Sequence, residues 1–366
     1  MNSRVAYRRA LGGVTAALGA LTLLATLTGT VGAAGAPGAP TAGPQSGCPS
    51  PACSSVLTAV AAATHVISVP SNLTPPLQGA GGDILMPPTA EIACGGGTST
   101  LSLPGCQPDG ASPTAPRLAL IGDSEAQTWS IALDSIARHT GYSFLPLAKV
   151  ECTMADLTTQ VPYSKGAYTS CPTFRKWAMA KVQAFNPSVV VISTLAEQFD
   201  TVKGKPISPT TYTAALVKTI TSLQQPGRQI FVISNPPNQS VSPPICLAAH
   251  SGNFKGCETS LSASLKNDGV WQSALQSAAT KTGASFVNVT PWFCDKGTCP
   301  LIIHNTEVYL DYGHMTSTYG VYLSGVMQAA LHLTNACTAA ASCNSYWPID
   351  RSAPYTPPEL SAEATG

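Results

Sequence analysis

Two short stretches of this 366-residue chain carry residue types suited to nucleophilic chemistry. One is Gly122-Asp123-Ser124; the other, near the far end of the chain, is Asp311-Tyr312-Gly313-His314. A serine hydroxyl is a weak nucleophile until a base takes its proton. An imidazole does so well when a carboxylate holds its other nitrogen and fixes the tautomer. Asp and His three residues apart can share one turn, so Asp311 can reach Nδ1–H of His314 and leave Nε2 for a serine. Read alone, each stretch has an ordinary structural role: Ser124 as a helix cap, Asp311 as a cap before a last helix with His314 in solvent. Read together, they supply a nucleophile, a base and an orienter.

The elements around them must bring both stretches to one place. Leu118–Ile121 is a short apolar strand leading straight into Gly122. Glu125–His139 then has helical spacing, with Trp129, Leu133, Ile136 and Ala137 on one stripe and Gly141 as the stop. Further strands are expected at Ser143–Ala148, Val189–Ser193, Gln229–Ser234 and Ser285–Val289. Helices are expected at Pro172–Phe185, Thr211–Leu223 and Glu258–Thr282, with one last helix formed by the residues after His314, to about Leu333. Strands alternating with helices imply parallel crossovers, and so an α/β fold: a three-layer α/β/α sandwich on a flavodoxin-like parallel sheet. Such sheets place reactive groups at the carboxyl ends of their strands, where strand order reverses. Ser124 would sit there at a helix N-terminus, whose N–H groups and dipole favour a developing oxyanion.

A Gly-Asp-Ser block on the first strand and an Asp-x-x-His block before the last helix resemble the SGNH hydrolase (GDSL-type) superfamily, over about residues 117–333. The resemblance implies Ser124 as nucleophile, His314 as general base and Asp311 as its orienter. More narrowly, the chain resembles the SGNH domain fused to membrane acyltransferase-3 proteins, which O-acetylate envelope glycans. Ala126, Trp129, Cys152, Trp292 with Cys294 and Cys299, Thr316 and Tyr319 carry that likeness. Glu125 stands where those domains often have His, and the membrane acyltransferase part is expected to be absent. The superfamily's second-block Gly and third-block Gly-x-Asn-Asp have no clear counterpart, because the third strand runs on as Ser193-Thr194-Leu195-Ala196-Glu197-Gln198. The backbone N–H of Ser124 is the first oxyanion donor expected, and Gln198 is the candidate side-chain donor.

The implied function is hydrolysis or transfer of a short acyl group, of acetyl type, on a cell-envelope glycan or small ester. No cofactor is expected; a membrane acyl-donor protein is a candidate partner, and nucleic acid is not. A lipase of the α/β-hydrolase fold would need a Gly-x-Ser-x-Gly elbow, which Gly122-Asp123-Ser124-Glu125-Ala126 is not. The other reading is a non-catalytic envelope or glycan-binding module on the same scaffold. Outside the two blocks, His304 is a candidate to line the cleft, while His65, His139, His250 and His332 have bland surface or structural readings. Trp292, Tyr309 and Tyr312 flank the site and suit core packing better than sugar stacking.

Composition and ends agree with an exported protein. Arg4, Arg8 and Arg9 precede an apolar run from Leu11 to Val31 and then Ala33-Ala34-Gly35-Ala36, the pattern of a signal peptide over residues 1–36. An uncleaved N-terminal anchor remains the alternative. Residues 37–51 read as a Pro/Gly linker, 52–115 as a cysteine-containing extension, 116–335 as the catalytic domain and 336–366 as a tail. The twelve cysteines fall into sequence-local pairs: Cys48 with Cys53, Cys94 with Cys106, Cys152 with Cys171, Cys246 with Cys257, Cys294 with Cys299, and Cys337 with Cys343. An even set after an export signal reads as disulfides, and no tight Cys-x-x-Cys knuckle suggests zinc. Net charge is +1 and only 10% of residues are charged, so nothing suggests a nucleic-acid binder, which would need a basic stripe.

Overall fold

The computed structural model describes residues 50–77, 93–109, 114–160, 166–195 and 205–337. Its centre is a six-stranded parallel sheet. In chain order the strands are β1 (Gly95–Gly96), β2 (Arg117–Gly122), β3 (Ser143–Lys149), β4 (Val189–Ser193), β5 (Gln229–Ile233) and β6 (Ser285–Val287). Their spatial order is β1-β3-β2-β4-β5-β6, with every pairing parallel. The helices are α1 (Pro51–Ala63), α2 (Ser124–Thr140), α3 (Ser170–Phe185), α4 (Pro209–Leu223), α5 (Pro243–Ala249), α6 (Leu261–Thr282), α7 (Ser317–Tyr322) and α8 (Ser324–Ala330).

The central strands read as unbroken apolar runs because both faces of the sheet are covered. Leu118 and Leu120 of β2, with Val189 and Val191 of β4, join a core under α1, α2, α7 and α8. Ala119 and Ile121, with Val190 and Ile192, join a second core under α3, α4 and α6. The architecture is therefore the three-layer sandwich expected. From β2 the chain steps to β3 on one side and crosses back to β4 on the other. The reversal falls at the carboxyl end of β2, where Ser124 follows.

Several boundaries differ from the sequence reading, each for a local reason. Pro51, expected in the linker, opens α1 instead, because Ser50 caps that helix by accepting from Cys53 N–H and Pro51 takes the first helical position. The long helix starts at Leu261 rather than Glu258, since Ser260 caps it and Thr259–Ser260 pairs antiparallel with Thr298–Cys299. β6 ends at Val287, and the Val289 N–H is taken by the Ser234 hydroxyl. The last helix is two short ones. Met315 and Thr316 stay outside it, with Thr316 N–H bonded to Val308 O, and the Thr316 side chain then caps α7. Its continuation breaks at buried Leu323, whose N–H is shared among three carbonyls.

Four disulfides join Cys94 to Cys106, Cys152 to Cys171, Cys246 to Cys257 and Cys294 to Cys299. Cys53 and Cys337 are also disulfide-bonded, while Cys48 and Cys343 lie outside the described residues. So do the N-terminal apolar run and Gln198. Among the described residues, no helix is long and apolar enough to cross a membrane.

Candidate active site

Gly122 closes the end of β2 tightly against β4. A Cβ there would lie 1.7 Å from Ser193 O and 2.6 Å from the Ala126 Cβ, so no side chain fits. The next residue, Asp123, is fully buried and caps α2. Its Oδ1 accepts from Glu125 N–H at 3.0 Å, and its Oδ2 accepts from Thr194 Oγ1–H at 2.8 Å and Leu195 N–H at 2.7 Å. Burial raises its pKa to about 6, with those three donors pulling the other way. Asp123 thus ties the serine loop to the end of β4. Ser124 follows as the first, half-buried residue of α2.

The second loop is equally constrained. Tyr309 and Met315 form an antiparallel bridge, and Leu310 N–H donates to His314 O at 2.8 Å, which folds residues 310–314 into a tight turn. Within it Asp311 Oδ1 accepts from the N–H groups of Gly313 (2.9 Å) and His314 (2.8 Å). Asp311 Oδ2 lies 2.8 Å from His314 Nδ1. The loop after β5 clamps this turn from outside. Gln239 N–H donates to Tyr312 O at 2.7 Å, and a Cβ on Gly313 would come within 2.6 Å of Asn238 Oδ1.

The electrostatics follow from these contacts. Burial alone would raise the Asp311 carboxyl, but the hydrogen bond and charge of His314 and the two backbone donors carry it below its ordinary value. Burial alone would lower His314, yet its bond to Asp311, then the charges of Glu125, Asp311 and Asp123, raise it to about 9. The Nε2 edge faces Glu125 Oε1 at 4.0 Å. Glu151, just past β3, also acts on the ring through its charge, and it holds a left-handed backbone conformation (φ 59°) that is costly for a non-glycine residue. Among the described residues, no hydrogen bond joins the Ser124 hydroxyl to His314.

A family model for the SGNH domain, of the kind fused to AT3 domains, matches residues 93–328, a span that includes both loops. The chain belongs to this family. It is accordingly an SGNH-type esterase or acyltransferase and handles acyl esters. Among solved structures it is similar to the periplasmic domain of a lipopolysaccharide acetyltransferase from Salmonella ser. Paratyphi A, at 15% identity over 60% of this chain and 84% of that one, TM-score 0.49. It is also similar to a carbohydrate esterase family 2 enzyme from Myceliophthora fergusii, at 18% identity over 62% and 69%, TM-score 0.36. A third likeness is to a carbohydrate acetylesterase family member from Sinorhizobium meliloti, at 12% identity over 60% and 100%, TM-score 0.35. No curated protein matches the chain.

The other sequence candidates in this SGNH domain fall away from the two loops or into the core. His304 sits in a hairpin turn with its ring against Tyr322 at 5.5 Å, and His332 packs near Phe231 at 6.3 Å. Trp292 and Tyr309 are buried, Trp292 edge-on to Trp129. Tyr312, in contrast, is 56% exposed on the turn that carries His314. Among the described residues, no group of three His, Cys, Asp or Glu side chains is arranged to hold a metal ion. Sequence reasoning missed Asp123 as the tie to β4, Glu151 beside His314, and Asn238 under Gly313. Only the first left a sequence signal, an Asp immediately before a helix start.

Proposed function

We propose that this chain is an exported serine enzyme that hydrolyses or transfers short acyl groups on esters of cell-envelope glycans, with Ser124, His314 and Asp311 as its catalytic residues. The Asp311–His314 pair at 2.8 Å, beside the N-terminus of α2, is the observation that carries the reading. Neutral His314 takes the Oγ proton of Ser124 as that oxygen attacks the ester carbonyl carbon. The oxyanion formed is met by the Ser124 N–H and the positive end of α2, with Gln198 as the candidate second donor. When the intermediate collapses, the alkoxide leaves with the proton held on Nε2, and the acyl group stays on Ser124. Water or a sugar hydroxyl then gives its proton to His314 and attacks the acyl-enzyme; the choice between them decides esterase against transferase.

The N-terminal apolar run and the disulfides support an oxidising, extracytoplasmic address. A membrane protein that delivers acyl groups is the partner a transferase would need. A second reading, a glycan-binding module without catalysis, draws support from the lack of a hydrogen bond between Ser124 and His314. A serine-reactive fluorophosphonate separates the two. Labelling of the wild type that disappears in Ser124→Ala supports catalysis, and a folded wild type that takes no label removes it.

A further inference from the structure

His314 is surrounded by carboxylates. Asp311, from its own turn, holds Nδ1. Asp123 and Glu125 act on the ring from the β2–α2 junction, and Glu151 from the end of β3. Of these, Glu125 stands apart. It is only 3% exposed, and its Oε1 faces Nε2, the nitrogen that must meet the serine. Its backbone is fixed by the Asp123 cap, whose Oδ1 accepts the Glu125 N–H. Ser124 and Glu125 are the first two residues of one helix, so the carboxylate that meets Nε2 comes from the residue next to the serine.

We propose that Glu125 is a positioning residue for His314: its buried carboxylate holds the Nε2 edge of the ring, on the side Ser124 must approach, and so governs when that nitrogen is free to take the serine proton. A charged imidazole is paired on both edges, by Asp311 and by Glu125. That state must give a proton to solvent before Ser124 can be deprotonated. Glu125 is thus a brake on the base at low pH and a guide for the ring as it turns to the serine. A purely structural role, an acid in the first turn favoured by the helix dipole, would affect stability and leave the proton affinity of His314 unchanged.

The inference rests on the proposed triad, and the test keeps the two apart. In the full chain, the titration of His314 is followed by NMR of labelled histidine, with the signal assigned by its loss in His314→Asn. The acid limb of kcat/KM for p-nitrophenyl acetate is followed alongside. In Glu125→Gln the His314 midpoint and the acid limb should both move down by about one pH unit or more. Glu125→Asp, which keeps the charge but draws it back, should move them less, and it serves if the Gln variant fails to fold. Glu151→Gln should give a smaller shift than Glu125→Gln. A midpoint that stays in place in both Glu125 variants overturns the inference, whatever the ester rate. A midpoint that moves in the Glu125 variants when the wild type itself shows no esterase activity upholds the hold of Glu125 on the ring and sinks the catalytic reading instead.

Discussion

His314 Nδ1 lies 2.8 Å from Asp311 Oδ2, while the same carboxylate's Oδ1 receives two backbone N–H groups of its own turn. One side chain thus shapes the loop and holds the ring within it. Asp311→Asn separates these jobs. The amide oxygen can still accept from Gly313 and His314, so the turn and the melting temperature should change little. The negative charge that stabilises the imidazolium is lost, and the amide can favour the wrong tautomer. The rate of p-nitrophenyl acetate hydrolysis should fall by as much as about 10⁴-fold in kcat with KM little changed. A loss of less than about tenfold would remove Asp311 from the triad.

The raised affinity of His314 for its proton predicts the direction of pH dependence. The proposed general base must be neutral, and the ring holds its proton up to about pH 9. kcat/KM should therefore climb from pH 7 toward pH 9 and level off only above it. For stability the sign is opposite. A histidine raised in the fold contributes stability that is fully present below its unfolded value near 6.5 and is lost as pH rises through about 9. Chemical denaturation at pH 6, 8 and 10 checks this against the rate profile: activity should rise while this contribution to stability declines.

Asp123 offers a test of how the serine loop is held. Asp123→Ala removes the cap on Glu125 N–H and leaves the Leu195 N–H without its acceptor. Lost caps and stranded buried donors each cost about 1–2 kcal/mol, so a destabilisation of about 2–3 kcal/mol is expected by urea unfolding. Esterase activity should fall as well, since the tie between β2 and β4 sets where Ser124 stands. A variant as stable as wild type would mean that the Asp123 contacts contribute nothing net.

The order of these elements is legible in the sequence because each strand is a short β-branched or leucine-rich run and each helix carries an apolar stripe. Val189–Ser193 reads as a buried strand since both its faces are covered. The break at Leu323 does not read, because one more apolar residue fits a continuing stripe equally well. Asp311 and His314 are legible because their contact depends on three residues of local spacing. Glu151 is not: its place beside His314 depends on β3 ending next to β2 and on a left-handed turn that glycine would announce and glutamate hides. Asn238 is hidden for a similar reason, since the loop after β5 meets residue 313 only through the fold.

Gly122 tests the close approach itself. A methyl group there would overlap the carbonyl oxygen of Ser193, a backbone atom that cannot rotate away. Gly122→Ala should either fail to accumulate or lose more than about 3 kcal/mol of stability, with β2 and β4 forced apart at the serine. A soluble variant of near wild-type stability and activity would show that the strand ends can separate without consequence.

Tyr312 tests whether a glycan lies over the turn that carries His314. Its backbone carbonyl accepts from Gln239 N–H, so the loop does not depend on the ring, and the residue is 56% exposed two positions before His314 in the chain. An aromatic face in that position suits a sugar ring, which the buried Trp292 and Tyr309 cannot meet. Tyr312→Ala should leave the melting temperature and the turnover of p-nitrophenyl acetate close to wild type, because a small ester does not reach the ring. With an acetylated oligosaccharide KM should rise by about 3–10-fold, the loss of one aromatic contact of about 0.5–1.5 kcal/mol, while kcat holds. An unchanged KM for the oligosaccharide would take Tyr312 out of the substrate path. Equal losses on both esters would instead mean that the ring supports the turn carrying His314.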